Sequence, residues 1–500
     1  MGKWIFWAAL MLTLTAAPRA RAFCGFYVAQ GDKKLTNDAT MVVMMREGTR
    51  TVLAMQNDYA GPPEDFAMVV PVPVVLHQEN VKTLPHEVFA HVDLQSTPRL
   101  VEYWEQDPCP LEYDENADNK EGGTGTRAKG EEGSMGNPNA RTRPLVTIEA
   151  RFAVGEYDIV ILAATDSMAL DGWLRQNGYH IPEGAAEVLR PYVAAGSLFF
   201  VAKVDVHKVA FAGGRARLSP LRFHYDADRF SLPVRLGLLN SGGNQDLIVH
   251  IIASKRYDVV NYPHVTLPTN LELDESVRTR FPEFFAALFD QTMEKNPRAV
   301  VTEYAWSVSS CDPCPGPTLS STELDVLGGD VLPRRGMAGQ YVLTRLHTRY
   351  SKDTLGEDLV FAEAPPIEGG RDDGSGRTGA VPAQLDNFQG RYIVRHPWKA
   401  PITCASPQRG IWGGPPYGDR PVLPPNTRDP AVERGKLDLG GALRTDAAAI
   451  GVQHRAPPLE GSDAADDSAR GRFRAGMSYG LLFGAALAMV VTARSRRRER

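Results

Sequence analysis

Cysteine chemistry is the first possibility that the sequence raises, because Cys311 and Cys314 are separated by two residues. This spacing occurs at redox sites, where the first cysteine begins a helix that stabilises its thiolate. Pro313, Pro315 and Pro317 disfavour a helix at this place. We therefore expect structural disulfides here, with a redox pair and a metal site as the alternatives.

Two histidine patterns could bind a metal ion, but neither has a complete ligand set. His86 and His91 are one residue further apart than the zinc-protease motif allows, so their imidazoles would point about 140° apart on a helix. His224, Asp226 and Asp228 alternate along a predicted strand end and could face one cation. We expect a solvated helix edge and ordinary turn polarity, respectively, and neither a metal nor a cofactor.

Two apolar segments bracket the chain and indicate where it resides. Residues 1–22 have the features of a signal peptide and end in a small-x-small cleavage pattern at residues 20–22. Residues 477–493 are apolar and nearly long enough to cross a hydrocarbon core of ~30 Å. Because the arginines of 494–500 follow directly, we expect that tail in the cytoplasm and the exported residues on the other side.

Small residues recur every four positions through the predicted transmembrane helix, at Gly476, Gly480, Gly484 and Ala488. This pattern places them on one helix face and would permit close packing against a second helix. Homodimer packing is therefore one interpretation. The alternative is that the small residues weaken the helix and make it a cleaved sorting tail.

All five cysteines lie in the predicted exported part, where disulfides form readily. The disulfide candidates are Cys24, Cys109, Cys311, Cys314 and Cys404. Phe23 precedes the first of them where a lipoprotein needs a small residue, so we reject lipidation. An odd number leaves one cysteine over, and the connectivity stays open.

Composition divides the chain into segments of different character. A net charge of −5 and a basic cluster confined to the C-terminal tail argue against nucleic-acid binding. Residues 112–143 contain hardly an apolar side chain, which predicts a disordered insertion. The predicted segments are a signal peptide (1–22), a main domain (23–365), a linker (366–383), a partly ordered extension (384–416), a low-complexity stalk (417–475), a transmembrane helix (477–493) and a basic tail (494–500).

The pattern of the main domain predicts an α+β fold with a mixed, mainly antiparallel sheet and several short helices. Residues 40–46 and 51–56 predict a hairpin, and residues 282–295 predict an amphipathic helix. Thr97 and Pro98 predict the start of another helix, and residues 233–239 predict a strand.

Several runs of sequence together resemble the bacterial family known as domain of unknown function 2330. The resemblance covers roughly residues 23–365 and implies an exported bacterial protein, often with a C-terminal membrane segment. It implies no activity, cofactor or catalytic residue. The runs are FCGFYV (23–28), REGTRTVL (46–53), DFAMVVPVP (65–73), YWEQDPC (103–109), WLRQNGY (173–179) and DLVF (358–361).

Two classes of function follow from these observations. We favour a non-catalytic binding or assembly module of the bacterial envelope, with the membrane and an envelope protein or a second copy as partners. The alternative is an envelope enzyme, of hydrolase or thiol–disulfide type, whose site is dispersed in sequence. A deep pocket with converging ionisable groups would favour the enzyme, and an exposed apolar patch the binder.

Overall fold

The structure is a computed structural model that describes residues 26–28, 36–60, 67–109, 145–177, 179, 182–212, 215–240, 244–333, 340–371, 376–415 and 437–453. These residues fall into two compact units. The small unit consists of residues 102–109 and 395–415, and the large unit consists of the others.

The described residues form six α-helices and twenty-five strands. The helices are α1 (His86–Ser96), α2 (Ser167–Gln176), α3 (Ala185–Ala194), α4 (Phe281–Lys295), α5 (Ser321–Leu327) and α6 (Leu439–Ala442). The strands are β1 (Phe26–Val28), β2 (Thr36–Glu47), β3 (Arg50–Ala60), β4 (Ala67–Val72), β5 (Val81–Thr83), β6 (Arg99–Glu105), β7 (Val146–Val154), β8 (Tyr157–Ala164), β9 (Leu198–Val204), β10 (Ala210–Ala212), β11 (Arg215–Arg217), β12 (Leu221–Asp226), β13 (Ser231–Leu232), β14 (Gln245–Ala253), β15 (Tyr257–Val259), β16 (His264–Thr266), β17 (Leu271–Glu272), β18 (Val300–Ser307), β19 (Val342–Tyr350), β20 (Leu359–Glu363), β21 (Ile367–Gly369), β22 (Val381–Pro382), β23 (Asn387–Gln389), β24 (Arg391–His396) and β25 (Trp412–Gly413).

The main sheet of the large unit has eleven strands, ten of them in the order β22-β21-β23-β18-β19-β14-β2-β3-β12-β5, with β16 beside β18. Its strand pairs are mainly antiparallel, and β2–β14 is one of the parallel exceptions. The predicted hairpin is confirmed, because β2 and β3 pair across a turn at residues 48–49. The prediction of a mixed α+β fold with mainly antiparallel sheets is confirmed as well.

The large unit has four layers, because both of its larger sheets bury both faces. Val42 and Met44 of β2 pack towards a five-stranded sheet of order β1-β4-β9-β8-β7. Val43 and Met45 point the opposite way, as alternation along a strand requires, and contact residues of α1 and α5. The outer face of the five-stranded sheet is covered by α2 and α3, for example by Leu174.

Helix α4 confirms the prediction for residues 282–295, starting one residue earlier. Pro282 lies in its first turn, and its phenylalanines bury one side of the helix. Residues 437–453 fall in the predicted stalk 417–475 but form α6 and a 3₁₀ turn whose Leu439 and Ile450 pack in the same core as α4. The stalk prediction therefore needs correction for this short apolar stretch.

Two local predictions were wrong. Thr97 and Pro98 end α1 instead of starting a helix, and β6 follows, with Arg99 N donating to Gly390 O. Aromatic and β-branched residues on β6 favour a strand once a partner is present. Residues 233–239 lie mostly in a 3₁₀ helix, Arg235–Asn240. The Asp358 carboxylate accepts hydrogen bonds from the backbone at its start, and that contact is not visible in the local sequence.

Several predicted segments lie partly or wholly outside the described residues. The predicted linker 366–383 contributes β21 and β22 to the main sheet in its described part. The signal peptide, the insertion at 112–143, the predicted transmembrane helix 477–493 and the basic tail all lie outside. No helix within the described ranges is both long and apolar enough to span a membrane.

Candidate functional site

One face of the main sheet carries a row of ionisable side chains. In the antiparallel pair of β14 and β19, Asp246 lies opposite Arg349 and His250 lies opposite Arg345. Directly opposite residues point to the same face of a sheet, so these four side chains share one face. His347 lies between the two arginines on β19, and the period of two aligns all five groups.

Glu303 enters this row through a β-bulge. Along β18, Val301 pairs with His347 and Tyr304 pairs with Arg345, and the register shifts between these two pairs. The extra residue of a bulge redirects a side chain out of the regular alternation. Here the carboxylate of Glu303 contacts both Arg345 and His347.

Helices complete the row at both of its ends. Asp93 comes from α1 and Asp290 comes from α4, so two of the helices that cover this face contribute a carboxylate. Acids and bases alternate along the row, and we call it the charge ladder. Its members are Asp93, Arg345, Glu303, His347, Asp246, Arg349 and Asp290.

The inner half of the ladder is closed to solvent. Arg345 Nε donates to Glu303 Oε2 at 2.7 Å, and its Nη1 donates to Asp93. The second oxygen of Glu303 lies 2.6 Å from His347 Nδ1. Arg345, Glu303 and His347 are each 1 % exposed or less. The buried charges of Arg345 and Glu303 require partners of opposite sign, and each is the partner of the other.

The outer half continues the same chain of contacts. Arg349 forms a bidentate pair with Asp246, through Nε at 2.6 Å and Nη2 at 2.9 Å, and its Nη1 donates to Asp290. Phe289 stacks on His347 with ring centroids 3.7 Å apart and also lies beneath the Arg349 guanidinium. The bidentate pair and the two contacts of the Phe289 ring fix the orientation of Arg349 and His347.

Pairing holds three members of the ladder, Asp246, Arg345 and Arg349, in their ionised forms. Burial acts to raise the pKa of Asp246, but the nearby His347 ring, 3.8 Å away, and the bidentate hydrogen bonds from Arg349 outweigh burial and hold this pKa well below its usual range. Burial acts to lower the pKa of Arg345 and of Arg349, yet their carboxylate partners raise both. None of these three groups is therefore poised to exchange a proton near neutral pH.

His250 lies beside the ladder as a neutral ring. Arg345 Nη1 is 3.1 Å from His250 Nε2, and an arginine can only donate, so this nitrogen accepts. The ring therefore carries its proton on Nδ1. Burial, and then the charge of Arg345, hold the pKa of His250 well below its usual value.

The outer end of the ladder reaches a surface cleft of about 180 Å³. That is smaller than the ~300 Å³ or more of a site for a drug-sized ligand, and it suits a molecule of amino-acid size. Its lining residues are Asn244, Asp290, Met293, Glu294, Pro297, Arg298, Arg349 and Thr354.

Arg298 is the conformationally unusual residue of the cleft. Its φ of 66° lies in the left-handed region, which a non-glycine residue rarely adopts. Its Nε donates to Thr354 O at 2.9 Å, and its guanidinium lies over the ring of Tyr262 at 5.7 Å. Backbone strain of this kind is concentrated at functional sites, which makes Arg298 a candidate ligand-binding residue.

Four of the five predicted disulfide cysteines form two bonded pairs. Cys109 bonds to Cys404 across 295 residues, and Cys311 bonds to Cys314 across three. As expected from the prolines, the second pair lies in a loop without helix, between β18 and α5. Cys24 lies outside the described residues.

Glu105 is the centre of the small unit. Its carboxylate accepts hydrogen bonds from the Arg409 guanidinium and from the backbone N–H groups of Trp398 and Gly410. Burial acts to raise the pKa of Glu105, but these hydrogen bonds lower it to about 2. The contact joins β6 to the segment after β24, which the disulfide of Cys109 also ties.

Residues of the two histidine patterns form hydrogen bonds and ion pairs within the protein. His91 Nδ1 lies 2.5 Å from Glu323 Oε1, so it links α1 to α5. His224 lies 3.2 Å from the amide of Asn80, and Asp226 pairs with Arg50 instead of facing a shared cation. Across the part of the chain that the structure describes, no three His, Cys, Asp or Glu side chains are grouped to hold a metal ion.

Sequence reasoning missed the charge ladder. Part of it was visible in the sequence, because β19 carries Arg345, His347 and Arg349 at alternate positions and β14 carries Asp246 and His250 four positions apart. Which strands are neighbours, and where β18 bulges, could not be read locally. The predicted packing glycines Gly476, Gly480 and Gly484, with Ala488, lie outside the described residues.

Comparison with known proteins identifies one relationship. The profile of a family described as "Uncharacterized protein conserved in bacteria (DUF2330)" matches residues 18–362. No curated protein and no solved structure matches the chain.

Proposed function

The chain belongs to the DUF2330 family of uncharacterised bacterial proteins, and from that premise we propose that it is a non-catalytic binding module of the bacterial envelope. The leader 1–22 and the apolar segment 477–493 with its arginine tail support an exported module held by a single membrane anchor. We place its binding site in the cleft at the outer end of the charge ladder.

The fixed pair of Arg349 and Asp290 in the cleft wall is the observation that carries this proposal. Both side chains are oriented by the buried ladder behind them before any ligand arrives. Preorganised polar groups bind more tightly, because little side-chain entropy is lost on binding. Because buried side chains hold this wall of the cleft in place, the wall is suited to ligand recognition.

The charges of the cleft indicate the class of ligand. Arg298 and Glu294 are exposed at its rim, while Arg349 and Asp290 line its inner part. Cationic and anionic groups so close together complement a ligand that carries both charges. We infer a small zwitterion, with a carboxylate and an ammonium group, such as an amino acid or a short peptide.

The protonation states favour binding over acid–base catalysis. A general acid or base works best with a pKa near the operating pH, whereas Asp246, Arg345 and Arg349 are held in their ionised forms. Product formation from a bound ligand would instead support the alternative, an envelope enzyme.

A thermal-shift screen of the full chain in detergent tests the proposed function. Amino acids and dipeptides are compared with monocarboxylates and monoamines of matched size. Zwitterions should raise the melting temperature, because a ligand at 100 times its Kd stabilises the native state by about 2.7 kcal/mol. Equal shifts with singly charged compounds, or no shift with any zwitterion, would refute the ligand class.

A further inference from the structure

The disulfide between Cys311 and Cys314 is open to chemical attack. Cys314 is exposed and Cys311 is half-exposed, and their loop joins the end of β18 to the start of α5. We propose that this disulfide is a thiol-exchange site that oxidises a dithiol of an envelope protein or peptide. This exchange is stoichiometric, and it goes beyond the non-catalytic ligand binding proposed for the cleft.

The loop keeps its shape through contacts that do not involve sulfur. The Arg99 guanidinium donates to Pro313 O, the carbonyl between the two cysteines. Gln95 donates to Val308 O at 2.8 Å and accepts from Leu319 N at 2.9 Å, which fixes both ends of the loop. The sulfur bond can therefore open without release of the loop.

The two disulfides contribute differently to stability. Stabilisation by loop closure grows with the number of residues enclosed. Cys109 and Cys404 are 295 residues apart, whereas Cys311 and Cys314 are three apart. The short bond constrains the unfolded chain little, so its loss costs the fold little, as an exchange site requires.

Two guanidinium groups contact the loop. Arg371 Nη2 lies 2.8 Å from Oδ2 of Asp312, which lies between the two cysteines in sequence. The Arg371 guanidinium also lies over the Trp306 ring, 5.3 Å from its centroid. Burial lowers the pKa of Arg99 to about 10, so this second guanidinium is still charged at neutral pH. Nearby positive charge favours the thiolate that exchange must release.

The surface beside the loop indicates the substrate. Arg371 also lines a cavity of about 140 Å³ together with Arg377, Glu368, Gly369 and Gly370, so the lining has two guanidinium groups and one carboxylate. A concave surface with guanidinium groups suits a carboxylate. We infer a dithiol with acidic groups beside its reactive sulfur.

The exchange balances without another oxidant. A substrate thiolate attacks Sγ of Cys314, the S–S bond breaks, and its electron pair leaves on Sγ of Cys311. The second substrate thiolate then attacks the substrate sulfur of this mixed disulfide and releases Cys314. The substrate loses two protons and two electrons and becomes a disulfide, and the two cysteines become thiols.

Stepwise reduction of the full chain in detergent tests the site. Dithiothreitol is added in small amounts, free thiols are trapped, and each cysteine is quantified by mass spectrometry. Cys311 and Cys314 should be reduced roughly tenfold or more faster than Cys109 and Cys404, while the circular dichroism spectrum stays native. Simultaneous reduction of both bonds, or reduction of the short one only on unfolding, would overturn the proposal.

The charge of the reductant provides a second test. Mercaptoacetate is an anion and cysteamine is a cation. The ratio of the rates at which they reduce the short disulfide, mercaptoacetate over cysteamine, should be higher than their thiol pKa values predict. Arg371→Gln should lower this ratio by about thirtyfold, because one charge at close range contributes about 1 kcal/mol of attraction for the anion and about 1 kcal/mol of repulsion for the cation. Arg280→Gln, in an exposed pair with Glu283, is the matched control. An unchanged ratio in the Arg371 variant would contradict the inferred substrate class.

Trapping identifies the attacked sulfur. Reduced Cys311→Ser, which retains Cys314, should form a stable mixed disulfide with an oxidised acidic peptide. Cys314→Ser should form less of it, because Cys311 is the less exposed sulfur. Equal trapping by both variants, or trapping by neither, would contradict attack at Cys314.

Discussion

Glu303 accepts a hydrogen bond of 2.7 Å from Arg345 although solvent reaches neither side chain. Such a pair need not stabilise the fold more than apolar residues would, but breaking it leaves a charge buried without compensation. The ladder therefore behaves as a unit in which each charge depends on its neighbours.

Replacement of Glu303 tests this dependence. Glu303→Gln should lower the free energy of unfolding of the large unit by about 3 kcal/mol, because Arg345 and His347 lose the charge between them. Urea unfolding followed by circular dichroism measures the change. Glu363→Gln removes an exposed pair with Lys255 and should cost less than about 1 kcal/mol. Similar losses in both variants would show that the ladder does not depend on this charge.

The long disulfide should hold the small unit closed. Cys404→Ser removes the link to Cys109 and should destabilise the unit by about 2–5 kcal/mol. Local opening exposes Arg409, so trypsin cleavage there should accelerate at least about 30-fold. Ser406→Ala, in the same exposed stretch, is the control. An unchanged cleavage rate in Cys404→Ser would show that the bond is dispensable.

Acid should weaken the small unit through Glu105. Its folded pKa of about 2 lies below the ~4.3 of an unfolded glutamate, so it contributes stability above about pH 4.3 and loses that contribution as the pH falls towards 2. The Gly410 amide, which donates to this carboxylate at 2.9 Å, reports the titration by NMR in selectively labelled protein. A midpoint near 4 would contradict the hydrogen-bonding account, and Glu105→Gln should abolish the transition.

The predicted topology can be tested in cells. Protease added outside spheroplasts should digest residues 23–475 and spare a tag placed after Arg500, because the arginine tail is expected to stay in the cytoplasm. Lysed spheroplasts, in which the tag should also be digested, are the control. A protected 23–475 region in intact spheroplasts would refute the exported location.

Local sequence was sufficient where an element carries its own periodicity. The hairpin of β2 and β3 and helix α4 were predictable from alternation, turn residues and an amphipathic stripe. Strand β6 was not predictable, because its partner strands, which favour a strand over a helix at these residues, are far away in sequence. The same is true of the 3₁₀ helix at Arg235–Asn240, whose start is held by Asp358.

The candidate site was less predictable than the fold. Its cysteines could be named in advance, yet their connectivity needed the structure. The charge ladder joins residues from α1, α4, β14, β18 and β19, and the bulge at Glu303 determines whether they meet. One residue inserted into or deleted from β18 would turn the Glu303 carboxylate to the other face of the sheet. No local rule predicts the position of the bulge.

The most direct test of the proposed function is calorimetric titration of Arg298→Gly with a zwitterion found in the screen. Glycine adopts a φ of 66° without strain, so relief of strain should offset the lost contacts and keep the free energy of unfolding within about 1 kcal/mol of the original. The Kd should rise at least about tenfold, which corresponds to about 1.4 kcal/mol. An unchanged Kd in this folded variant would contradict binding in the cleft.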